Sequence, residues 1–411
     1  MPEAALPRTG SHQRADASAL PAPFELGINY WPRRRAMYMW REFDAADVRD
    51  EMAHIADLGF DTVRMFTLLE DFLPRPEAVD HRRVDMLVEV ARIAGEAGLS
   101  IVPTLIVVNM SGRIWWPAWL LDARGQPADL FSDPVALRAQ ELLVATCARA
   151  LAGSTALRAF DIANEIDGAL RPASRAAGRH WVARLADAIR TAAPGTPVRI
   201  GAHLPSLTTQ NHLRIDDLGG LLDEDVMHAY PLYSETARSF LDPELVPFSC
   251  ALTASLSASG RRPVMQEFGL CTAPPGIAGH TFTDDFLGQP RAQYLASEEE
   301  AALYYDAVLN GLVETGAAAA YAWCYADYDA RLFTRPPLDT AVRERTFGLV
   351  RADGTEKPAA DVFRRLRKRR DDGGLVPAAT PSVLDVSADT YYQDPAMHFE
   401  RLYASWVTVR A

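Results

Sequence analysis

Cysteine is scarce in this chain, and the cysteines that occur form no recognisable pattern. The 411 residues include four of them, Cys147, Cys250, Cys271 and Cys324, with no Cys-x-x-Cys pair and no histidine at metal-ligand spacing. Sparse, scattered thiols are typical of proteins from a reducing compartment, and zinc sites need clustered ligands. The pattern therefore argues against a zinc site, while a disulfide stays open.

The chain also lacks long apolar runs and an excess of positive charge. Residues 1–22 contain no apolar stretch that could form the core of a signal peptide, and no later stretch is long enough to span a membrane. With 42 basic and 54 acidic side chains, the formal net charge is −12. Nucleic acids and anionic membranes require a basic surface. We therefore expect a cytoplasmic protein with no nucleic-acid or membrane partner, although a secreted mature form would show the same features.

Glycine-rich phosphate-binding motifs are absent as well, since neither G-x-G-x-x-G nor G-x-x-x-x-G-K-[ST] follows the first strand-like segment. The chain instead alternates short apolar segments, typical of buried strands, with amphipathic segments typical of helices. The strand-like segments are 24–31, 61–66, 100–108, 157–165, 198–203, 226–230, 263–268 and 318–325. The helix-like segments are 45–58, 83–97, 135–150, 175–193, 243–259, 298–315 and 362–370, and the link over 205–224 has only a weak helical pattern.

Eight strands with helices in nearly every gap fit a closed barrel better than an open, doubly wound sheet. We therefore predict an α/β fold, a (β/α)8 TIM barrel over residues 23–370. Residues 1–22 are predicted to be a disordered leader, because they are rich in Pro, Ala, Ser and Arg. Residues 371–411 are predicted to be a linker and a tail that docks on the barrel.

Two glutamates each close a strand-like segment. Glu165 ends the segment FDIANE, and Glu267 ends the segment VMQE. A carboxylate at the end of a buried strand is costly unless it is paired or used. In a barrel of parallel strands the carboxyl ends meet at one face, where active sites lie. Two carboxylates at that face suggest a glycosidase.

Other notable side chains lie on the second strand-like segment and beyond the third. Arg64 interrupts an apolar run, either as part of a buried ion pair or as a cation that orients Glu267 and keeps it ionised. Asn109 follows the third segment, and Trp116 belongs to a loop with three tryptophans within five residues. That loop forms either a small core of its own or a stacking platform for sugar rings.

The later segments carry five further candidates. Asn164 precedes the first glutamate and can donate to a sugar 2-hydroxyl. His203 is as readily a satisfied core histidine as a substrate ligand. His228 and Tyr230 are two residues apart and leave the same strand face, so the histidine can support the acid/base and the tyrosine can bond the nucleophile. Trp323 forms either part of the core or the floor of a sugar site.

These residues, each on its expected strand, resemble the active-site set of clan A retaining glycoside hydrolases, and most of all family 5, the cellulase and mannanase family: Arg64, Asn164-Glu165, His228-x-Tyr230, Glu267 and Trp323. The resemblance covers about residues 24–370. It implies a (β/α)8 fold, retention of anomeric configuration and no cofactor. Family 5 usually carries a histidine where the third strand ends, and here the nearest candidate is Asn109.

We therefore predict a retaining β-glycosidase that hydrolyses β-linked glucosides or mannosides, in short oligosaccharides, by double displacement. Glu267 would be the nucleophile, kept ionised by Arg64 and Tyr230. Glu165 would be the acid/base, kept protonated near neutral pH by an apolar surrounding and a nearby negative charge.

Three other functions are considered. Transglycosylation uses the same covalent intermediate and stays open. A non-catalytic carbohydrate-binding barrel is the alternative from a different class. A metal-dependent barrel hydrolase is disfavoured, because the first strand ends in Asn29-Tyr30-Trp31, without a histidine.

Overall fold

The protein forms a barrel of eight parallel strands. The computed structural model describes residues 23–286, 288–375 and 378–410. The barrel strands are β1 Glu25–Asn29, β2 Thr62–Leu68, β3 Ser100–Val107, β4 Phe160–Asn164, β5 Val198–Gly201, β6 Val226–His228, β7 Val264–Phe268 and β8 Ala319–Ala322. Each lies within or close to one of the predicted segments. The predicted leader, residues 1–22, lies outside the described residues.

The order of the strands makes the sheet an almost closed ring. Hydrogen-bonded neighbours run β5-β4-β3-β2-β1-β8-β7-β6, and all these pairs are parallel. The remaining gap, between β5 and β6, is bridged by a parallel contact of His203 with His228. The predicted (β/α)8 fold is confirmed. The closure matters for function because it brings every strand's carboxyl end to one face.

Helices cover the outside of the barrel. They are α1 Ala45–Asp57, α2 His81–Glu96, α3 Pro134–Leu151, α4 Arg175–Ala192, α5 Ile215–Leu221, α6 Leu245–Ser257, α7 Glu298–Glu314 and α8 Pro358–Asp371. Local sequence sets their starts. The side chain of Asp133 caps α3 ahead of Pro134, and Ser297 with Glu300 forms a capping box at α7.

Two β-hairpins project from the strand ends and were not predicted. One pairs Asn109–Met110 with Arg113–Ile114, and the other pairs His280–Phe286 with Gln289–Leu295. The second hairpin is mostly polar and only partly buried, so it lacks the continuous apolar run that marks the barrel strands. Two single-turn helices, Leu69–Phe72 and Leu204–Thr208, also follow strand ends.

The C-terminal segment packs against the barrel's outer helices. It contains the helices Ala388–Tyr391 and Pro395–Arg410, and the ring of Phe399 lies 5.2 Å from that of Phe248 on α6. The hydroxyl of Tyr403 donates to Asp242 at 2.6 Å. The domain boundaries assigned from the sequence stay a prediction. Within the described ranges, none of the helices has the length and apolar character needed to cross a membrane.

Candidate active site

The carboxyl ends of the strands surround a cavity of about 330 Å³. Eight of the ten residues predicted for the site line it: Asn109, Asn164, Glu165, His203, His228, Tyr230, Glu267 and Trp323. They come from six different strands, from segments that lie far apart along the chain. The closed barrel therefore assembles them, as expected for strand-end residues.

Arg64 lies beneath the cavity rather than on its wall. Its side chain is fully buried and donates to Asn29 at 3.1 Å, Thr104 at 2.9 Å and Asn164 at 2.8 Å. It also pairs with Asp161 at 2.9 Å and donates to Glu267. The structure shows the buried ion pair of the first interpretation, and the hydrogen bond to Glu267 is the contact that the second interpretation requires. We assign it a positioning role, because it does not reach the cavity.

Glu267 is held from two sides. One carboxylate oxygen accepts from Arg64, and the other accepts from the hydroxyl of Tyr230 at 2.8 Å. Burial, together with the negative charges of Glu267 and Glu165, raises the pKa of Tyr230 well above its usual value. The phenol therefore stays protonated and donates to Glu267. These two hydrogen bonds fix the orientation of the Glu267 carboxylate, which is a requirement for a nucleophile.

Glu165 follows β4 in a left-handed backbone conformation, with φ of +41°. Such a conformation is uncommon for a residue other than glycine and occurs often at active sites. One oxygen of Glu165 lies 2.9 Å from Nδ1 of His228, and the other lies 3.4 Å from Nδ1 of His203. Oxygens of Glu165 and Glu267 come within 4.8 Å of each other. This spacing is close to that of retaining glycosidases, whose carboxyl groups are about 5–5.5 Å apart.

The pKa of Glu165 is shifted in the direction opposite to the predicted one. Burial by itself would raise the pKa of Glu165, but the charge and hydrogen bond of His203, with those of His228, lower it well below its usual value. The expectation of an apolar surrounding that keeps Glu165 protonated was therefore wrong. The prediction named His203 and His228 as candidates but did not weigh their charges against the effect of burial.

His203 is the centre of a small acidic cluster. Its Nε2 lies 2.9 Å from Asp167, and Asp167 also accepts from Asn211 at 2.7 Å. Burial would lower the pKa of His203, but the charges of Asp167 and Glu165 raise it well above its usual value. Both ring nitrogens face carboxylates, which favours the imidazolium form. A protonated His203 therefore lies beside Glu165, the acid/base candidate.

His228 shares a single proton with Glu165. The amide of Gln266 donates to Asp161 at 3.2 Å, so its carbonyl oxygen accepts from Nε2 of His228 at 3.0 Å. Nδ1 then faces Glu165 either as a lone pair receiving a carboxylic O–H or as an N–H donating to a carboxylate. In both cases one proton lies on the 2.9 Å line between them.

Comparisons with known proteins place this geometry among glycoside hydrolases. No protein-family model matches the sequence, and no curated protein matches it. GH5_18 from Streptomyces cattleya, solved in complex with GlcNAc, is 22% identical, with a TM-score of 0.78 over 94% of this chain and 92% of its own. A second structure of that protein, in complex with Manβ1-4GlcNAc, has a TM-score of 0.76 over 93% and 92% at 22% identity. The exo-β-1,4-mannosidase Op5Man5 from Opitutaceae bacterium strain TAV5 is 26% identical over 88% of this chain and 62% of its own, with a TM-score of 0.72.

The barrel fold, the paired glutamates and the structural matches all indicate a glycoside hydrolase. The chain is a glycoside hydrolase whose fold resembles that of family 5. The resemblance inferred from the sequence is thereby confirmed. The roles of the individual residues are a separate matter and are argued from the geometry.

The tryptophan-rich loop of this glycoside hydrolase does not form a platform at the cavity. Trp116 is half-buried, packs against the core and does not line the cavity. Trp115 is buried and donates from its ring to the backbone of Met110 at 3.1 Å, and Trp119 donates to the backbone of Leu73 at 2.7 Å. Of the two readings of this loop, the structure favours core packing. The aromatic floor of the cavity is instead Trp323, with Phe66 packed on its edge at 5.7 Å.

One wall of the cavity was missed by sequence reasoning. It consists of side chains from the 280–295 hairpin, from the turn Val342–Arg345 and from a residue after β6: Tyr233, Phe286, Arg291, Arg343 and Glu344. None of these lies within a predicted strand or helix, and no spacing links them. Only the packing of the hairpin against the turn brings them together.

The glycoside hydrolase also presents three groups that could in principle hold a metal ion. Atoms of Glu165, His228 and Glu267 lie within 4.8 Å of one another. The guanidinium of Arg64 donates to the Glu267 oxygen that faces this group. A metal ion would therefore have to share that oxygen with a buried positive charge, so the donor set does not fit a cation.

Proposed function

We propose that this glycoside hydrolase is a retaining, exo-acting β-mannosidase, which removes the terminal mannose from short β-1,4-linked oligosaccharides such as Manβ1-4GlcNAc. The observation that carries the proposal is the pair of Glu165 and Glu267, with oxygens within 4.8 Å, in a small cavity. The sequence alone left glucosides and mannosides open. Mannose is favoured because one similar structure holds Manβ1-4GlcNAc and another is an exo-β-1,4-mannosidase.

The first chemical step forms a covalent intermediate. A Glu267 oxygen attacks the anomeric carbon while the bond to the leaving oxygen breaks and Glu165 gives that oxygen a proton. The donors on Glu267 hold it in place for this attack. Asn164 anchors its amide between Arg64 and the backbone of Asn109, which leaves one N–H for the sugar 2-hydroxyl. That contact strengthens as the transition state gains oxocarbenium character.

The second step releases the sugar. Glu165 takes a proton from water, the water oxygen attacks the anomeric carbon, and the bond to Glu267 breaks. Two inversions give net retention. Throughout the cycle Glu165 must gain and lose one proton, and the neighbouring His203 and His228 are placed to exchange it. Asp167 keeps His203 protonated, and His203 donates a proton to the Glu165 carboxylate before the first step.

The size of the cavity supports a short substrate. Small-molecule pockets have volumes of roughly 300–1,000 Å³, and this one, at about 330 Å³, is at the small end. The wall near Glu165, formed by Gly168, Leu204 and Pro205, faces the leaving group, because the acid must lie on the leaving oxygen. The opposite wall, near Glu267, therefore surrounds the sugar that is removed.

Hydrolysis of an aryl glycoside panel tests the proposal. The β-mannoside should be cleaved faster than the β-glucoside, β-xyloside, β-galactoside and β-fucoside, and Manβ1-4GlcNAc should yield mannose. Glu267→Ala should abolish cleavage, and Glu165→Ala should slow it by about 10²–10⁴-fold, the usual contribution of a general acid/base. Glu299→Ala, an exposed glutamate on α7, is the matched control and should match the parent.

Stereochemistry gives a second, independent readout. Proton NMR of the first product should show β-mannose before mutarotation. An α-product, a preference for another sugar, or cleavage that survives Glu267→Ala would each contradict the assignment. A disaccharide or trisaccharide product that grows with substrate concentration would instead identify a transglycosylase using the same intermediate.

A further inference from the structure

Glu344 is a buried carboxylate on the cavity wall that the two-glutamate mechanism does not use. It lies on the turn Val342–Arg345, and only 7% of its surface is exposed. Its side chain lines the same cavity as Glu267. Burial raises the pKa of Glu344; Arg343 opposes this, and the negative charges of Asp284 and Glu267 add to it. A buried acid in this position is costly unless a partner meets it.

Within the protein, only one carboxylate oxygen of Glu344 has polar contacts, and these contacts are long. Oε1 lies 3.4 Å from the hydroxyl of Tyr233 and 3.4 Å from Nε of Arg343, both at the outer limit for a hydrogen bond. Oε2 has no hydrogen-bond partner among the described residues. Arg343 does not need Glu344, because it already pairs with Asp284 at 2.8 Å and donates to the backbone of Asp285 at 2.7 Å. The carboxylate therefore has spare acceptor capacity directed at the cavity.

The turn that carries Glu344 is fixed firmly in place. The carboxylate of Asp284, on the 280–295 hairpin, accepts from the backbone N–H of Val342 at 2.8 Å and of Arg343 at 3.1 Å. Arg343 is almost fully buried, and its guanidinium packs 4.7 Å from the ring of Phe286. A carboxylate held on such a support keeps its position before substrate arrives, which is what a binding residue requires.

The neighbours of Glu344 place it beside the sugar that is removed. Tyr233 touches the carboxylate, and its ring packs 5.4 Å from Tyr230, which in turn bonds the nucleophile Glu267. The acid Glu165 and the leaving-group wall belong to other strands. Sugar hydroxyls are hydrogen-bond donors, and an ionised carboxylate can accept from two adjacent ones.

We propose that Glu344 binds hydroxyl groups of the terminal, non-reducing sugar and so selects chain ends. This rests on the proposed function. A sugar that carried a further unit on one of these hydroxyls would lose a donor and would press that unit against the wall of Phe286 and Arg343. Glu344 would then be left buried and unpaired. The wall therefore excludes internal chain units and explains why cleavage would be restricted to ends.

A substrate-deletion experiment tests this contact. Initial rates are measured for p-nitrophenyl β-mannoside and for its 3-, 4- and 6-deoxy forms, with the parent, Glu344→Ala and Glu344→Gln. In the parent, removal of a hydroxyl bound by a carboxylate should lower kcat/KM by about 10- to 100-fold. In Glu344→Ala the same deletion should cost less than about 3-fold, while the other deletions keep their parental effect. Glu344→Gln retains an acceptor and should fall between the two.

Control variants distinguish the loss of a substrate contact from damage to the folded structure. Asp339→Asn, an exposed acid in the same loop, should behave as the parent in the whole series. Loss of activity in Glu344→Ala by the same factor for every substrate would mean a merely structural residue and would overturn the inference, as would no loss at all. A parent that prefers β-glucosides would refute the mannosidase assignment separately, and gluco-configured deoxy substrates would then test Glu344. A parent that neither cleaves nor binds these sugars would overturn both.

Discussion

Replacement of His203 by glutamine should move the alkaline limb of the pH–rate profile toward acid. In the proposed mechanism, the proton needed by the leaving group resides in the cluster of Asp167, His203 and Glu165, where the charges of Asp167 and Glu165 raise the pKa of His203 well above 6.5. Activity on the alkaline side falls when this cluster loses its proton. The folded protein holds this proton on His203 at any pH below the raised pKa of His203. It loses the proton as the pH rises through that pKa.

The size of the shift follows from the groups that remain. In His203→Gln, the amide can still bond Asp167, but it cannot carry the proton. Glu165 then holds it without a neighbouring imidazolium, and an ordinary glutamate titrates near 4.5, against 6.5 for an ordinary histidine. The alkaline limb of kcat/KM should therefore move toward acid by at least about two pH units, so the rate at pH 7 falls by about 100-fold or more. At the new optimum much of the activity should return.

The assay is kcat/KM for the aryl β-mannoside between pH 4 and pH 9, together with thermal unfolding at each pH. His180→Gln, an exposed histidine on α4, is the matched control and should keep the parental profile. An alkaline limb that stays in place in His203→Gln would refute the proton-storage reasoning. A uniform loss at every pH would also refute it, because such a loss indicates misplacement of Glu165 rather than a change in proton supply.

Two further predictions concern stability. Arg64→Met leaves two buried carboxylates without their cation and should lower the free energy of unfolding by about 3–5 kcal/mol in urea titrations, whereas the exposed Arg138→Met should change it by less than about 0.5 kcal/mol. Arg364 and His54 lower the pKa of Glu356 to about 2. Arg364→Gln should therefore lower the free energy of unfolding above about pH 4.5, and by less than about 1 kcal/mol because the ion pair is partly exposed. The difference from the parent should vanish as the pH falls to about 2. A pH-independent difference in that last comparison would contradict the ion-pair account.

The sequence predicted the barrel because its evidence is local. Each buried parallel strand is a short apolar run, and each helix has its own periodicity and cap, so the eight repeats can be counted without knowing how they pack. The face of the site was predictable for the same reason. Once the strands are parallel and closed, residues such as Glu165 and Glu267 that follow different strands must meet at one end.

Other features arose only from tertiary packing. The pKa of Glu165 is lowered rather than raised because β5 and β6 bring His203 and His228 against it, and no pattern near residue 165 reports those neighbours. Trp116 packs against the hydrophobic core instead of lining the cavity. Glu344 reached the cavity because a polar hairpin, invisible to hydrophobic periodicity, holds its turn.

The division has a physical cause. Element type and strand-end position depend on side chains a few residues apart, whose interactions are repeated along the chain and can be read from spacing. Charge states and cavity walls depend on groups separated by tens to hundreds of residues in the sequence, whose distances are set by the closed barrel and its hairpins. The sequence by itself therefore determined the barrel and the position of its two glutamates. Only the tertiary structure decided the direction in which the pKa of Glu165 is shifted and which side chains line the cavity.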